Sequence, residues 1–272
     1  MLLPLFDRQP TTRPPLLTVL LMVVNVGAFW WLSNLSEEGT LDTVVEYGFV
    51  PQRFTEVDSG EPLPIEVPLQ ENRVYRTQLS TDGVPVYRTL LTMMFLHGSW
   101  LHVISNMWML WIFGNNVEDR LGHFVFLVFY LLGGTLSAVC QWVVDPLSTT
   151  PVIGASGAVW AVLGAYAITY PKAKIFTLLF IGIPIPVNLP ALLVIAVKFA
   201  LDLALGVWML QGMGGQPIAY WAHVGGCVAG VLLMPLLSLG AAPAGSNWQA
   251  EVDEALPMSP DRFDTARLGV EK

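Results

Sequence analysis

Apolar residues dominate the chain in long runs, separated by short polar connections and one long polar segment. Six runs approach the ~20 residues that carry a helix across ~30 Å of hydrocarbon. They are 15–35, 91–113, 124–144, 156–170, 186–209 and 220–239. The pattern predicts an all-α integral membrane protein, a six-helix transmembrane bundle over 15–239. The segment 36–88 is rich in Glu, Asp and Pro and reads as one long loop, with an ordered turn at Glu46-Tyr47-Gly48-Phe49-Val50-Pro51. Residues 1–14 form an N-terminal stub, and 240–272 a polar tail whose composition predicts flexibility.

Charge refines this picture. A soluble domain carries about 25% charged residues, whereas this chain of 272 residues has 12%, against 54% hydrophobic. Most of it must therefore face lipid or pack inside a bundle. The net charge of −8 argues against nucleic acid as a partner. Cys140 and Cys227 sit in apolar runs and read as small buried hydrophobes. The first run is too long for a signal-peptide core and lacks a small-residue cleavage site after it, so it reads as a first span. The absence of a transit peptide favours a bacterial plasma membrane.

Lysine and arginine set the orientation. Arg8 and Arg13 precede the first span, Arg120 follows the second, and Lys172 and Lys174 follow the fourth; the tail carries Arg262, Arg267 and Lys272. The connections 145–155 and 210–219 carry none, and the arginines of 36–88 stand among ten acidic residues. The positive-inside rule then puts both termini in the cytoplasm and the long first loop outside.

Three polar signatures interrupt the apolar background: His97-Gly98-Ser99-Trp100-Leu101-His102-Val103-Ile104-Ser105-Asn106, Gly154-Ala155-Ser156-Gly157 and Ala222-His223-Val224-Gly225-Gly226. Polar groups at membrane depth are costly and mark function. The orientation puts all three at the outer ends of their spans. From Ser156 to the Tyr170-Pro171-Lys172 interface the fourth run covers only ~22 Å, so Ser156 starts its helix below the outer surface. The chain before it must dip inward, which is tolerated only in a protein-lined or water-filled cavity. His223 is a candidate base for the Ser156 hydroxyl. Gly226 and Gly230 share its helix face, and Gly157, Ala161 and Gly164 form a matching stripe on the fourth span, so the two backbones can approach closely. His102 and Asn106, one turn apart, can donate hydrogen bonds to an oxyanion together with the Ser156 N–H. Trp160, one turn after Ser156, is placed to stack on the His223 ring. Neither a His-Glu-x-x-His motif nor a carboxylate beside His97, His102 or His223 is present in the sequence, so no metal and no cofactor is expected. Lys198 and Asp202, four apart in the fifth span, read as a structural ion pair. The Gly-rich connection 211–217 reads as a mobile cap over the site.

These residues together resemble the rhomboid family of intramembrane serine proteases, over about 87–239. The resemblance rests on His97, His102 and Asn106, on Gly154, Ser156 and Gly157, and on His223 followed by Gly226 and Gly230. It implies that Ser156 is the nucleophile and His223 the base, without a third acidic member, and that His102 and Asn106 bind the oxyanion. It further implies single-span membrane proteins as substrates, cut in or near the outer part of their transmembrane segment. Two positions depart from the family pattern. Tyr87-Arg88 stands where Trp-Arg is common, with Arg88 kept as a supporting residue, and Trp160 stands where Tyr or Phe is usual. A catalytically silent relative that binds membrane clients would lack the serine or the histidine, and both are present. A small transporter would carry internal repeats, and none is detected. The lipid bilayer is an obligatory partner, and the sequence pattern carries no oligomeric state.

Overall fold

The computed structural model describes residues 2–56, 61–68, 74–80, 83–211 and 218–239. In chain order the elements are β1 (Leu2–Asp7), α1 (Leu16–Ser33), α2 (Glu37–Tyr47), α3 (Pro51–Thr55), β2 (Leu63–Pro68), β3 (Val74–Leu79) and α4 (Val86–Thr92). A 3₁₀ turn at Met93–Phe95 leads to α5 (Trp100–Leu121), α6 (His123–Val144), α7 (Ser156–Thr169), β4 (Lys174–Phe180), β5 (Pro184–Pro190), α8 (Ala191–Leu210) and α9 (Tyr220–Leu237). Residues up to Leu239 form one compact unit. The tail 240–272 lies outside the described residues.

Helices α1, α6, α8 and α9 are long and apolar enough to cross a membrane. The fold is thus that of a mostly helical integral membrane protein. Helix α5 is as long as α6, at 22 residues, but ends in Glu118-Asp119-Arg120. Helix α7 has 14 residues, about 21 Å, and every residue from Gly157 to Ala167 is buried. Its alanines and glycines admit α5, α6 and α9 at close range, which makes it the axis of the bundle.

The acid that ends α5 has a structural task. Pro15 offers α1 no side-chain cap. The fully buried Glu118 supplies one from α5, accepting from the Leu17 N–H at 2.8 Å and from the Thr18 N–H and hydroxyl at 2.7 Å each. Its other neighbour is His123 Nδ1 at 2.5 Å. A carboxylate at a helix N-terminus answers both the orphan N–H groups and the helix dipole.

Three expectations need correction. The fold is not all-α, because β1, β4 and β5 form an antiparallel sheet in the order β1-β4-β5. Residues 186–190 therefore belong to β5, and α8 starts only at Ala191, after the prolines at 184, 186 and 190. The second long helix starts at Trp100 rather than at 91, because residues before Leu96 belong to α4 and the 3₁₀ turn. Ser99 resets the chain by accepting the His102 N–H at 3.2 Å, which puts His102 in the first turn of α5. Finally, 36–88 is not a plain loop. It contains α2, α3, the β2–β3 hairpin and the start of α4, with a small core of Val45, Val50, Leu63, Ile65 and Leu79. The alternation in Leu-Pro-Ile-Glu-Val-Pro and Val-Tyr-Arg-Thr-Gln-Leu is the period of a half-buried strand, hidden by the density of Pro and Glu around it.

The β1–β4 pairing holds the N-terminal stub and the α7–α8 connection at one end of the bundle. Asp7, at the end of β1, accepts from Asn116 Nδ2 at 2.6 Å and from the Tyr166 hydroxyl at 2.8 Å. Burial outweighs these hydrogen bonds and pushes its carboxyl up to about 6. A raised carboxyl pKa favours the folded state most below its ordinary value, and that contribution is lost as pH rises through about 6. Asp7→Asn keeps an acceptor without the charge. It should melt above the wild type at pH 7.5, with the difference shrinking as pH falls towards 4. A variant melting below the wild type at pH 7.5 contradicts this assignment.

Candidate active site

Ser156 opens α7, and the chain before it is tightly held. Phe49 and Val152 exchange backbone hydrogen bonds of 3.0 and 2.8 Å, and the Gly154 N–H reaches Met93 O at 2.9 Å. Gly154 has φ +115°, and a Cβ there would come within 2.7 Å of the His102 ring. Only glycine fits, for both reasons. The turn delivers Ser156 to a helix start whose first N–H groups have no intrahelical partner.

His223, in the first turn of α9, meets Ser156 across the bundle, with Nε2 3.0 Å from Ser156 Oγ. The Trp160 ring stacks on it at 5.9 Å and 28°, and Tyr220 meets it edge-on at 6.2 Å. The close approach of α7 and α9 explains this reach. A Cβ built on Gly226 would overlap the Gly157 carbonyl, one on Gly230 the Ala161 carbonyl, and one on Gly164 the Cys227 carbonyl. The two small-residue stripes thus meet as their spacing predicts, with one difference. The open side of Gly157 faces Ser137 of α6, and it is the Gly157 backbone that Gly226 approaches.

Asn106 is 7% exposed and lies 3.1 Å through Nδ2 from Nε2 of the fully buried His97. The same His97 nitrogen accepts the Ala155 N–H at 3.4 Å. The His97 and His102 rings meet edge-on at 5.0 Å. His97 therefore links α5 to the residue before Ser156. A cavity of about 310 Å³ opens beside these groups, with Asn106, Ser156, Trp160, Lys198, Asp202 and His223 among its walls. It is mixed in character, with polar atoms set in an apolar surround.

Two residues stand elsewhere than expected. Arg88 is exposed on α4 with its guanidinium 6.0 Å from the Tyr87 ring, away from the cavity. An arginine that ties the first segment together is Arg53, which donates to the Glu46 and Val84 carbonyls. Partial burial lowers its pKa, partly offset by Glu46. Asp202 does not pair with Lys198. Its Oδ2 lies 2.6 Å from Nδ1 of His223, so the expectation of no acidic neighbour for the histidine is overturned. The i, i+4 spacing suggested the wrong partner, because sequence distance shows only contacts along one helix. The signal that could have found it is the presence of a carboxylate in an otherwise apolar span. The 212–217 part of the expected cap lies outside the described residues.

A half-buried serine, a histidine bonded to it and a cavity of mixed polarity thus stand together inside the helical bundle. Residues 85–240 match the Rhomboid domain family profile, and the chain belongs to the rhomboid family. Among similar proteins, Rhomboid-like protein 11, chloroplastic, of Arabidopsis thaliana is 31% identical over 57% of this chain and 54% of its own length. Presenilin-associated rhomboid-like protein A, mitochondrial, of Danio rerio is 32% identical over 50% of this chain and 34% of its own. Rhomboid protein 1, mitochondrial, of Saccharomyces cerevisiae is 30% identical over 57% and 43%. The matched part thus spans between about a third and about half of these relatives' length. Their organellar names lend no support to the expectation of a bacterial plasma membrane.

The packing carries its own test. Gly226→Ala adds one Cβ against the Gly157 carbonyl, and overpacking of this kind costs ~1–3 kcal/mol. Thermal unfolding in detergent should show a lower melting temperature. Gly27→Ala on α1, where an added Cβ meets nothing within 4 Å, should not. Equal melting of the two variants would mean that α7 and α9 do not rest on this contact.

Proposed function

We propose that the protein is an intramembrane serine endopeptidase that cleaves single-span membrane proteins in or near the outer part of their transmembrane segment. The observation that carries this reading is the 3.0 Å contact between Ser156 Oγ and His223 Nε2 at the wall of a cavity of mixed polarity. In this reading α1, α5, α6, α7, α8 and α9 are the six spans. Both termini face the Lys- and Arg-rich side, and the segment 36–88 faces the opposite side.

The chemistry follows from the atoms in place. Ser156 Oγ attacks the scissile carbonyl carbon while its proton passes to His223 Nε2. The oxyanion is met by the Ser156 N–H, by the Asn106 amide and by His102. Asn106 Nδ2 has two hydrogens, and the contact with His97 occupies one of them. As the C–N bond breaks, His223 returns the proton to the leaving amine. Water then attacks the acyl-serine with His223 again as base, which frees the new carboxyl terminus and regenerates Ser156. Trp160 holds the imidazole plane between these steps. Neither metal nor cofactor enters the scheme, so chelators leave turnover unchanged.

The test is cleavage of a fluorescent transmembrane substrate in vesicles. Ser156→Ala and His223→Ala should each lower kcat by roughly 10⁴-fold or more, with melting unchanged. Substantial turnover by well-folded Ser156→Ala would remove the serine mechanism. Asn106→Ala should lower kcat by ~10²–10³-fold with little change in KM, because an oxyanion donor acts on the transition state. A raised KM at constant kcat would make Asn106 a substrate-binding residue instead.

A further inference from the structure

Helix α8 is the most apolar of the four membrane-length helices and the least buried within the bundle. A carboxylate in such a helix is expensive unless a partner recovers the cost. The nearest candidate along the same helix is Lys198, one turn away. Asp202 instead points across to α9, where its Oδ2 stands 2.6 Å from His223 Nδ1, and the two side chains are only 18% and 15% exposed. The opposite ring nitrogen faces Ser156 Oγ at 3.0 Å. Carboxylate, imidazole and hydroxyl, from α8, α9 and α7, thus form one unbroken hydrogen-bonded line.

We infer that Asp202 is the positioning residue of a Ser156–His223–Asp202 triad, holding His223 in the tautomer and orientation that deprotonate Ser156. The inference rests on the protease reading above. Its physical basis is the inventory of donors and acceptors. An ionised carboxylate only accepts, so a hydrogen bond from Nδ1 requires the ring proton there. Nε2 is then left with its lone pair towards the Ser156 hydroxyl, the state a general base needs. Asp202 also stabilises the imidazolium that forms when the proton arrives, without taking that proton itself. Trp160 fixes the plane of the ring, and Asp202 fixes its rotation within that plane.

Several groups surround His223 and Ser156. Helix α8 presents Asp202 and Lys198 to the cavity beside His223. Helix α7 presents Ser156 and Trp160, and α9 itself adds Tyr220.

The experiment compares wild type, Asp202→Asn, Lys198→Met/Asp202→Met and Ser156→Ala, as full chains in vesicles, by cleavage of the transmembrane substrate. Asp202→Asn should lower kcat by ~10²-fold or more with KM nearly unchanged. A tie that only holds α8 to α9 would lower melting and leave the kcat of the folded variant unchanged, and that result overturns the inference. The double variant should stay as slow as Asp202→Asn. Recovery of wild-type turnover in it would return Asp202 to neutralising Lys198. A readout independent of folding variants is proton NMR of the wild-type chain with 15N-labelled histidine. It should show a strongly deshielded Nδ1 proton on His223, and a proton on Nε2 instead overturns the inference. The protease reading fails separately, when wild type cleaves no faster than Ser156→Ala.

Discussion

The closeness of α7 and α9 is the constraint on which the site depends. Carbonyls of Gly157 and Ala161 occupy the space that side chains at positions 226 and 230 would fill, and the Cys227 carbonyl does the same opposite Gly164. Without an ordinary hydrophobic driving force between helices in lipid, such backbone contact supplies the attraction. It also sets a distance. Ser156 and His223 lie in the first turns of these two helices, so fixing the helix pair fixes the gap between hydroxyl and imidazole.

A second constraint is the treatment of polar groups in so apolar a chain. Several of them are matched to a partner on a different element. Glu118 of α5 caps α1 and meets His123. Asn106 meets His97, which in turn receives the Ala155 N–H just before Ser156. Asp202 of α8 meets His223 of α9. Asp7 gathers Asn116 and Tyr166 beneath the sheet. Because an unmatched polar group costs most where water is scarce, these pairs specify how the helices are rotated about their axes. Apolar packing alone specifies that poorly.

Much of this was legible in the sequence where the relevant interaction is periodic or local. The apolar runs marked the helices, and the small-residue stripes marked which faces of α7 and α9 meet. The His-x-x-x-Asn spacing put His102 and Asn106 on one face of α5. What escaped was contact between distant elements. Nothing along α8 shows that Asp202 turns from Lys198 to α9, and nothing near 174–190 shows that β1 completes a sheet there. The hairpin of the first segment was masked because Pro and Glu dilute an alternation that only Val, Ile and Leu carry. Arg53 was passed over for Arg88 because a motif pointed to one, while burial, invisible in the sequence, selects the other.

The central claim is that His223 activates Ser156 for attack on a carbonyl. Its most direct measurement is covalent labelling of the full chain with a serine-reactive fluorophosphonate, followed by mass-spectrometric mapping of the modified residue. The account predicts a single label on Ser156 in the wild-type protein and its loss in His223→Ala, where the hydroxyl remains but its base is gone. Labelling at another residue, or undiminished labelling of Ser156 in folded His223→Ala, would contradict it.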